Sequence, residues 1–404
     1  MSTKKQPALI FIFITILIDV IGLGIIIPVL PQLIHEVTGM GLSEGAAMGG
    51  WLVVAFSVMQ FIFSPLLGNL SDRYGRRPIL LLSLFGFTID YVLLVFAPNL
   101  TWLFVGRIIA GFMGASFTTA SAYIADISSD ENRSQNFGML GAAFGLGFII
   151  GPTIGGLLGE LGTRVPFMAA AALTFLNAVY GYFVLPESLP VDKRRPFDWS
   201  RCLPWGAWGH LKKHPVVYGL VGAMVLIYVA SHAVQSNWSF YTQLKFAWSE
   251  STIGFSLGIA GVLVALVQGF LIRIVNPKIG NNNSVYLGIT FSTLGLLLFG
   301  LAAQGWHLYL ILIPYCLGGL SGPALQSIIS AQFPANEQGE LQGALTSLIS
   351  VTSIIGPALM TQVFEYFTSP QYPIYFPGAP FILGALITFT GGLLAFRALR
   401  RYNR

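Results

Sequence analysis

Runs of about 20 apolar residues recur along the whole 404-residue chain, separated by short polar connections. Each run is long enough to cross a hydrocarbon layer ~30 Å thick as an α-helix. A membrane barrel would instead show alternating segments of ~10 residues, and the sequence has none. The chain is 54% hydrophobic and only 9% charged, too little charge to cover a soluble domain of this size. The expectation is therefore an all-α polytopic membrane protein. Twelve transmembrane helices are read at about 8–34, 46–68, 78–97, 100–126, 135–159, 165–185, 215–243, 251–275, 284–303, 306–330, 338–366 and 377–397.

The net charge of +5 would suit a nucleic-acid binder, but the basic residues are placed by topology. All but three of the 21 lysines and arginines fall on connections of the same side as the N-terminus. The exceptions are Arg164 and Lys245 on the opposite side and Arg107 inside a span. By the positive-inside rule both termini are expected in the cytoplasm, with the chain multi-pass in the cytoplasmic (inner) membrane. The first span follows Lys4-Lys5 as a signal peptide would, yet it is too long, lacks a small-residue cleavage site, and is read as retained. Cys202 and Cys316 make neither a disulfide nor a metal pattern, so no metal and no cofactor are expected.

The longest polar connection, 186–214, carries six basic residues beside Trp199, Trp205 and Trp208 and divides the spans six and six. That mixture suits a linker lying at the cytoplasmic membrane surface, against lipid headgroups. The predicted organisation is an N-terminal six-helix bundle (1–185), a cytoplasmic linker (186–214) and a C-terminal six-helix bundle (215–404). The halves are also alike. LGAAFGLGFIIGP (140–152) and LTSLISVTSIIGP (345–357) share their last four residues at an offset of 205. The same shift carries Gly75 onto Gly280, Gly114 onto Gly319 and Gly138 onto Gly343. Paired repeats of this kind are a common build for secondary transporters and argue against a receptor or membrane enzyme.

One connection stands out for its charge. GNLSDRYGRRPI (68–79) puts Asp72, Arg73, Arg76 and Arg77 within six residues between two apolar spans. With Gly68, Leu70 and Gly75 it resembles the signature of the major facilitator superfamily, G-x-L-x-D-R-x-G-R-[RK]. GFIIGPTIGG (147–156), with Gly147, Gly151, Pro152, Gly155 and Gly156, is similar to the span-5 motif of that superfamily's drug:proton antiporters. Arg107 in LFVGRIIAGFMG resembles their buried span-4 arginine. LIDVIGLGIIIPVLP (17–31), SLFGFTIDYVLLVF (83–96), GFSLGIAGVL (254–263) and PALQS (323–327) are similar to the tetracycline-efflux family over nearly the whole chain. The resemblance implies the major facilitator fold, two pseudo-symmetric six-helix bundles. It implies roles for Asp19 and Asp90, and for a span-8 histidine and a span-9 aspartate whose positions read Val264 and Ser292 here. Proton coupling is accordingly expected through the N-terminal half alone, and a substrate other than tetracycline is expected.

Asp19 and Asp90 are the carboxylates at membrane depth. An ionised carboxylate there costs on the order of 2.5–3.5 kcal/mol even on a lenient scale, so a watery cavity or a partner is expected. A carboxyl held away from water can exchange a proton near neutral pH, which makes Asp19 and Asp90, with Arg107, the proton-coupling candidates. Arg107 also fits a second reading, a staple between helices of the first half. The glycines of 147–156 permit close helix packing, and Pro152 permits a bend. Gly68, Asp72, Arg73, Gly75, Arg76 and Arg77, with Asp126 as a partner for Arg76, are candidates for a cytoplasmic gate; a plain topological anchor is the simpler reading. Gln60, His232, Gln235, Asn237 and Gln326 are candidate cavity residues, each of which also fits an ordinary helix–helix contact.

The leading expectation is a proton-coupled exporter of an amphipathic small molecule, working as a monomer by alternating access. No G-x-x-x-x-G-K-[ST] sequence supports ATP use. The alternative is a proton-coupled importer or facilitator of a polar metabolite. An enzyme is not expected, since no nucleophile–His–acid or metal-ligand constellation is present.

Overall fold

The structure, a computed structural model, describes residues 5–114, 116–128, 133–194, 196, 215–332, 338–371 and 373–402. The described residues form helices and no strand. They are α1 (Lys5–Thr38), α2 (Leu42–Tyr74), α3 (Arg76–Phe96), α4 (Leu100–Met113), α5 (Ser116–Ile127), α6 (Arg133–Gly159) and α7 (Val165–Val184) in the first half of the chain. In the second half they are α8 (Pro215–Phe246), α9 (Glu250–Leu266), α10 (Ile272–Leu301), α11 (Gly305–Leu317), α12 (Ser321–Ser330), α13 (Gln338–Thr368) and α14 (Ala379–Tyr402). Eleven helical stretches among the described residues are long and apolar enough to cross a membrane. The linker's tryptophans and Cys202 lie outside the described residues.

The helices overrun the predicted spans, and three departures are instructive. The expected fourth span is divided: α4 ends at Met113, and Gly114 (φ −69°, ψ 19°) leaves the helical path before α5 begins. The carbonyl of Gly114, freed from the ladder, accepts a hydrogen bond from Gln60 Nε2 at 3.2 Å. The counterpart of this break falls in the tenth span, where Gly318–Leu320 is a 3₁₀ turn between α11 and α12. The eighth span carries a π-helical turn, Val267–Leu271, between α9 and α10.

Packing divides the chain into two compact units. One takes Met1–Gly39, Ala55–Pro204 and Ser249–Gly258; the other takes Met40–Val54, Trp205–Trp248 and Ile259–Arg404. In the first unit α1 packs on α6 and α7, and α3 packs on α7 and α4. In the second, α8 packs on α14 and α13, and α10 packs on α14. The pairing pattern thus repeats in each unit. Phe11, Ile16, Leu80, Leu84 and Tyr123 are among the core residues of the first, and Leu220, Val285, Leu325 and Leu399 among those of the second. Large apolar side chains remain outside, Phe183 at 78% and Phe96 at 74% exposure, as suits helices whose outer faces meet hydrocarbon rather than water.

Candidate functional site

Two carboxylates and one guanidinium gather inside the first unit. α3 directs Asp90, 1% exposed, toward α4. There Oδ2 accepts a hydrogen bond from Arg107 Nη2 in a buried ion pair. Asp90 Oδ1 lies against Gly106, where a side chain's Cβ would come within 2.7 Å of it. Neither that oxygen nor Arg107 Nε has a hydrogen-bond partner among the described residues. Asp19, 7% exposed on α1, faces the same region: Tyr91 lies within electrostatic reach of Asp19, Asp90 and Arg107 together. A further polar ladder runs behind α1. Asn177 Nδ2 donates to Thr15 Oγ1 at 3.2 Å, one turn from Asp19. Thr88 Oγ1 donates to Thr174 Oγ1 at 3.2 Å, between α3 and α7. Truncating Thr15 would leave the buried Asn177 amide without this acceptor, whereas Thr88 and Thr174 each also donate to a carbonyl of their own helix.

The glycines of α6 let two backbones touch. Gly147, Gly151 and Gly155 recur every fourth residue and so share one face. A Cβ at these positions would meet Val20 Cβ at 2.7 Å, Ile21 O at 2.7 Å and Ile25 O at 2.5 Å, all on α1. Gly24 of α1 returns the contact onto Pro152. Gly156, turned to another face, packs on Glu250 and Gly254 of α9. Any larger residue on this face would separate α1, and Asp19 with it, from α6.

At the end of the first unit that carries the N-terminus, the charged signature is almost wholly helical. α2 runs to Tyr74 and α3 starts at Arg76, leaving Gly75 as the turn, with φ 107° and ψ 161°. Only glycine occupies that region without strain. The turn carries Arg76, 8% exposed, into a cluster of acceptors. Its Nη1 meets Asp72 Oδ1 at 2.5 Å and Ser71 Oγ at 2.6 Å, and its Nε meets Asp126 Oδ2 at 3.2 Å. Ser188 Oγ also donates to Asp126, at 3.0 Å. Glu187, absent from the sequence-based candidates, caps α3 from 110 residues away. Its carboxylate accepts the backbone N–H of Arg76 (2.8 Å) and of Arg77 (3.3 Å), where a helix N-terminus favours negative charge. Arg77 Nη2 donates to Tyr182 O at 2.5 Å, and Arg73 lies over the ring of Tyr74 at 5.2 Å. Gly68 has open space around it, and its carbonyl accepts Ser71 Oγ.

At the other end of this unit Arg164, an exception to the charge pattern, has structural work. Its Nε pairs with Glu36 at 2.8 Å, and its Nη1 and Nη2 donate to Val95 O (2.5 Å) and Ala97 O (3.0 Å). It thereby joins α1 to the end of α3, where carbonyls lack helical partners. Nothing in the sequence around Glu187, Tyr91 or Arg164 signals these contacts, since each partner is remote along the chain.

The cavity candidates fall apart into different settings. Gln60 is committed to Gly114. In the second unit His232 is 7% exposed, its ring seated where Gly356 of α13 has no side chain. Asn237 is fully buried and donates to Ala233 O at 3.3 Å. Gln235 is exposed and donates to Ser231 Oγ at 2.9 Å, and Gln326 is exposed on α12. Ser292 packs its Oγ onto Gly318 at the 3₁₀ turn, and Val264 is 37% exposed on α9.

Repeated helix pairing, spans interrupted at matched glycines and a buried carboxylate–guanidinium pair at membrane depth define a membrane transporter rather than an enzyme. The family model of the Major Facilitator Superfamily matches residues 12–357. The chain belongs to that superfamily. It is similar to the tetracycline resistance protein, class C, of Escherichia coli, with 37% identity over 98% of each chain. It is similar also to the class H protein of Pasteurella multocida, with 34% identity over 95% of this chain and 94% of the relative. Its fold matches the crystal structure of the human organic anion transporter MFSD10 (TETRAN), with a TM-score of 0.71, 22% identity, and coverage of 98% of this chain and 100% of that one.

Proposed function

We propose that the chain is a proton-coupled exporter of an amphipathic small molecule, exchanging inward protons for outward solute by alternating access. Its similarity to tetracycline resistance proteins supports the class of cargo. The observation that carries the coupling is the buried Asp90–Arg107 pair with Asp19 nearby. With Asp90 ionised, the charge-assisted bond holds α3 to α4. With Asp90 protonated, that bond weakens and the guanidinium is free for other oxygens. Protonation therefore makes the two arrangements of these helices unequal in energy, which is what shifting an inward–outward equilibrium requires. Asp19, on the helix that packs against the α6 glycines, would pass a protonation change to that interface. The Arg76 cluster would act as a gate latch, made in one arrangement and broken in the other.

The same reading has six spans per bundle joined by the 186–214 linker. It has the chain working as a monomer without ATP, among lipids of the cytoplasmic membrane, with both termini inside. Among the described residues, no acidic side chain occupies the middle of a span in the second half. That favours coupling through the first half, with the second half contributing neutral groups such as Gln235 and Gln326 to solute contact.

Proteoliposomes with an imposed pH gradient test the proposal, using tetracycline and a panel of amphipathic cations. Export coupled to proton release is expected for at least one solute, and Asp90→Asn should slow it more than tenfold. Wild-type, gradient-driven export by Asp90→Asn would remove Asp90 from the coupling route.

A further inference from the structure

Tyr91 is adjacent in sequence to Asp90, and its ring reaches α1, the helix that carries Asp19. Consecutive residues on a helix point about 100° apart. α3 therefore sends Asp90 to Gly106 and Arg107 on α4 while it sends Tyr91 to α1. The ring is 2% exposed, and its hydroxyl occupies the space where any side chain at residue 22 would stand. Gly22 lies three residues after Asp19, so the two share a face of α1. The phenol oxygen thus reaches α1 within a turn of Asp19, and Asp19, Asp90 and Arg107 all act on it. A phenylalanine would fill the apolar part of this site equally well; the notch at Gly22 accommodates the oxygen.

We propose that Tyr91 is a positioning residue that couples Asp19 to the Asp90–Arg107 pair, so that the two carboxyls, on different helices, titrate as one unit. Coupled groups of this kind take up protons with properties that belong to the pair. The coupling links α1, and its packing on the α6 glycines, to α3, whose first residue is the clasped Arg76. Among the described residues, the other elements packed on α3 carry their titratable groups toward their ends. α7 contributes Tyr180 and Tyr182 in its last turns, and α5 contributes Tyr123 and Asp126 near its end. The inference rests on the proton-coupling reading above, but its test needs no transport.

The protonation of Asp90 can be followed by the carboxyl C=O band in infrared difference spectra of the purified full chain. Asp19→Asn should move the Asp90 midpoint by roughly one pH unit in the parent protein. After Tyr91→Phe the same Asp19→Asn change should move it by less than half as much. Gly22→Ala, whose methyl takes the hydroxyl's place, should reduce the shift in the same way and serves if Tyr91→Phe is unstable. An Asp19→Asn shift of equal size with and without the Tyr91 hydroxyl would overturn the proposal, whatever transport assays show. Failure of gradient-driven export alongside a reduced shift would instead overturn the coupling function and leave the Tyr91 role standing.

Discussion

Gly75 and Gly280 stand 205 residues apart, and the backbone treats them alike. Gly75 turns at φ 107°, ψ 161°, and Gly280 breaks α10 at φ 79°, ψ 161°. What surrounds them differs. A Cβ at Gly75 would strike the Glu187 carboxylate and approach Arg194 Nη2 at 3.0 Å, whereas nothing lies within 4 Å of a Cβ at Gly280. The next residue in the first half is Arg76, buried among Asp72, Asp126 and Ser71. The next residue in the second half is Asn281, whose amide donates to Ser327 Oγ at 3.1 Å. Thus the turn geometry belongs to the repeat and follows from glycine, while among the described residues the ionic clasp is found in the first half only. A turn shared by both halves is architecture; charge added to one of them is where a switch can be biased.

The largest test of that difference is Arg76→Gln. It removes a nearly buried cation and strands its acids, and a fully buried loss costs ~3–5 kcal/mol. Asp72 and Asp126 keep some solvent access, with side chains 36% and 21% exposed, so roughly 2–3 kcal/mol is expected. Thermal unfolding in detergent should show it, together with at least a tenfold loss of gradient-driven export. Unchanged unfolding and export would reduce the cluster to a topological anchor.

Paired alanine substitutions separate geometry from surroundings. Gly75→Ala and Gly280→Ala each force a side chain into a glycine-only region, at about 1–3 kcal/mol. Gly75→Ala also displaces Glu187 from the start of α3 and should cost about 1 kcal/mol more. Equal unfolding shifts for the two would mean that the carboxylate contributes nothing to the turn. Glu187→Gln isolates that contribution directly. It keeps an acceptor at the two amides but removes the charge, so a loss of up to about 1 kcal/mol is expected at low salt and less at high salt.

The difference between these two turns was half legible in the sequence. Apolar length alone located the spans, because hydrocarbon thickness fixes the length of a crossing helix. Matched glycines at one offset announced the repeat, and at one pair, Gly75 and Gly280, positive φ leaves little choice of residue. The charge of 68–79 marked a special place, and Asp126 could be named as a partner for Arg76 from its position at the end of a span. Glu187, Arg164 and Tyr91 could not be read in this way. Each acts on a helix far along the chain, and its neighbourhood in sequence looks ordinary. The split of the fourth span was also hidden, since only a glycine, a residue common in these spans, marks position 114 within 100–126. The hydrogen bond from Gln60, with the one from Gly114 N–H to Gly111 O, shows how a helix can stop at Gly114 inside a membrane.

The smallest expected effect bears most directly on the asymmetry. Asn281→Ala deletes one neutral hydrogen bond at an exposed position, worth about 0.5–1 kcal/mol at most and less where water substitutes for the lost partner. No ion is stranded, because the amide's partner, Ser327 Oγ, is uncharged. Unfolding should therefore shift barely at all, and export should stay within twofold of the parent. A loss approaching that of Arg76→Gln would show that the second turn is clasped as strongly as the first, by means other than ion pairs. The gate would then be symmetric, and the charges of the first half would be only one of two chemical ways to build it.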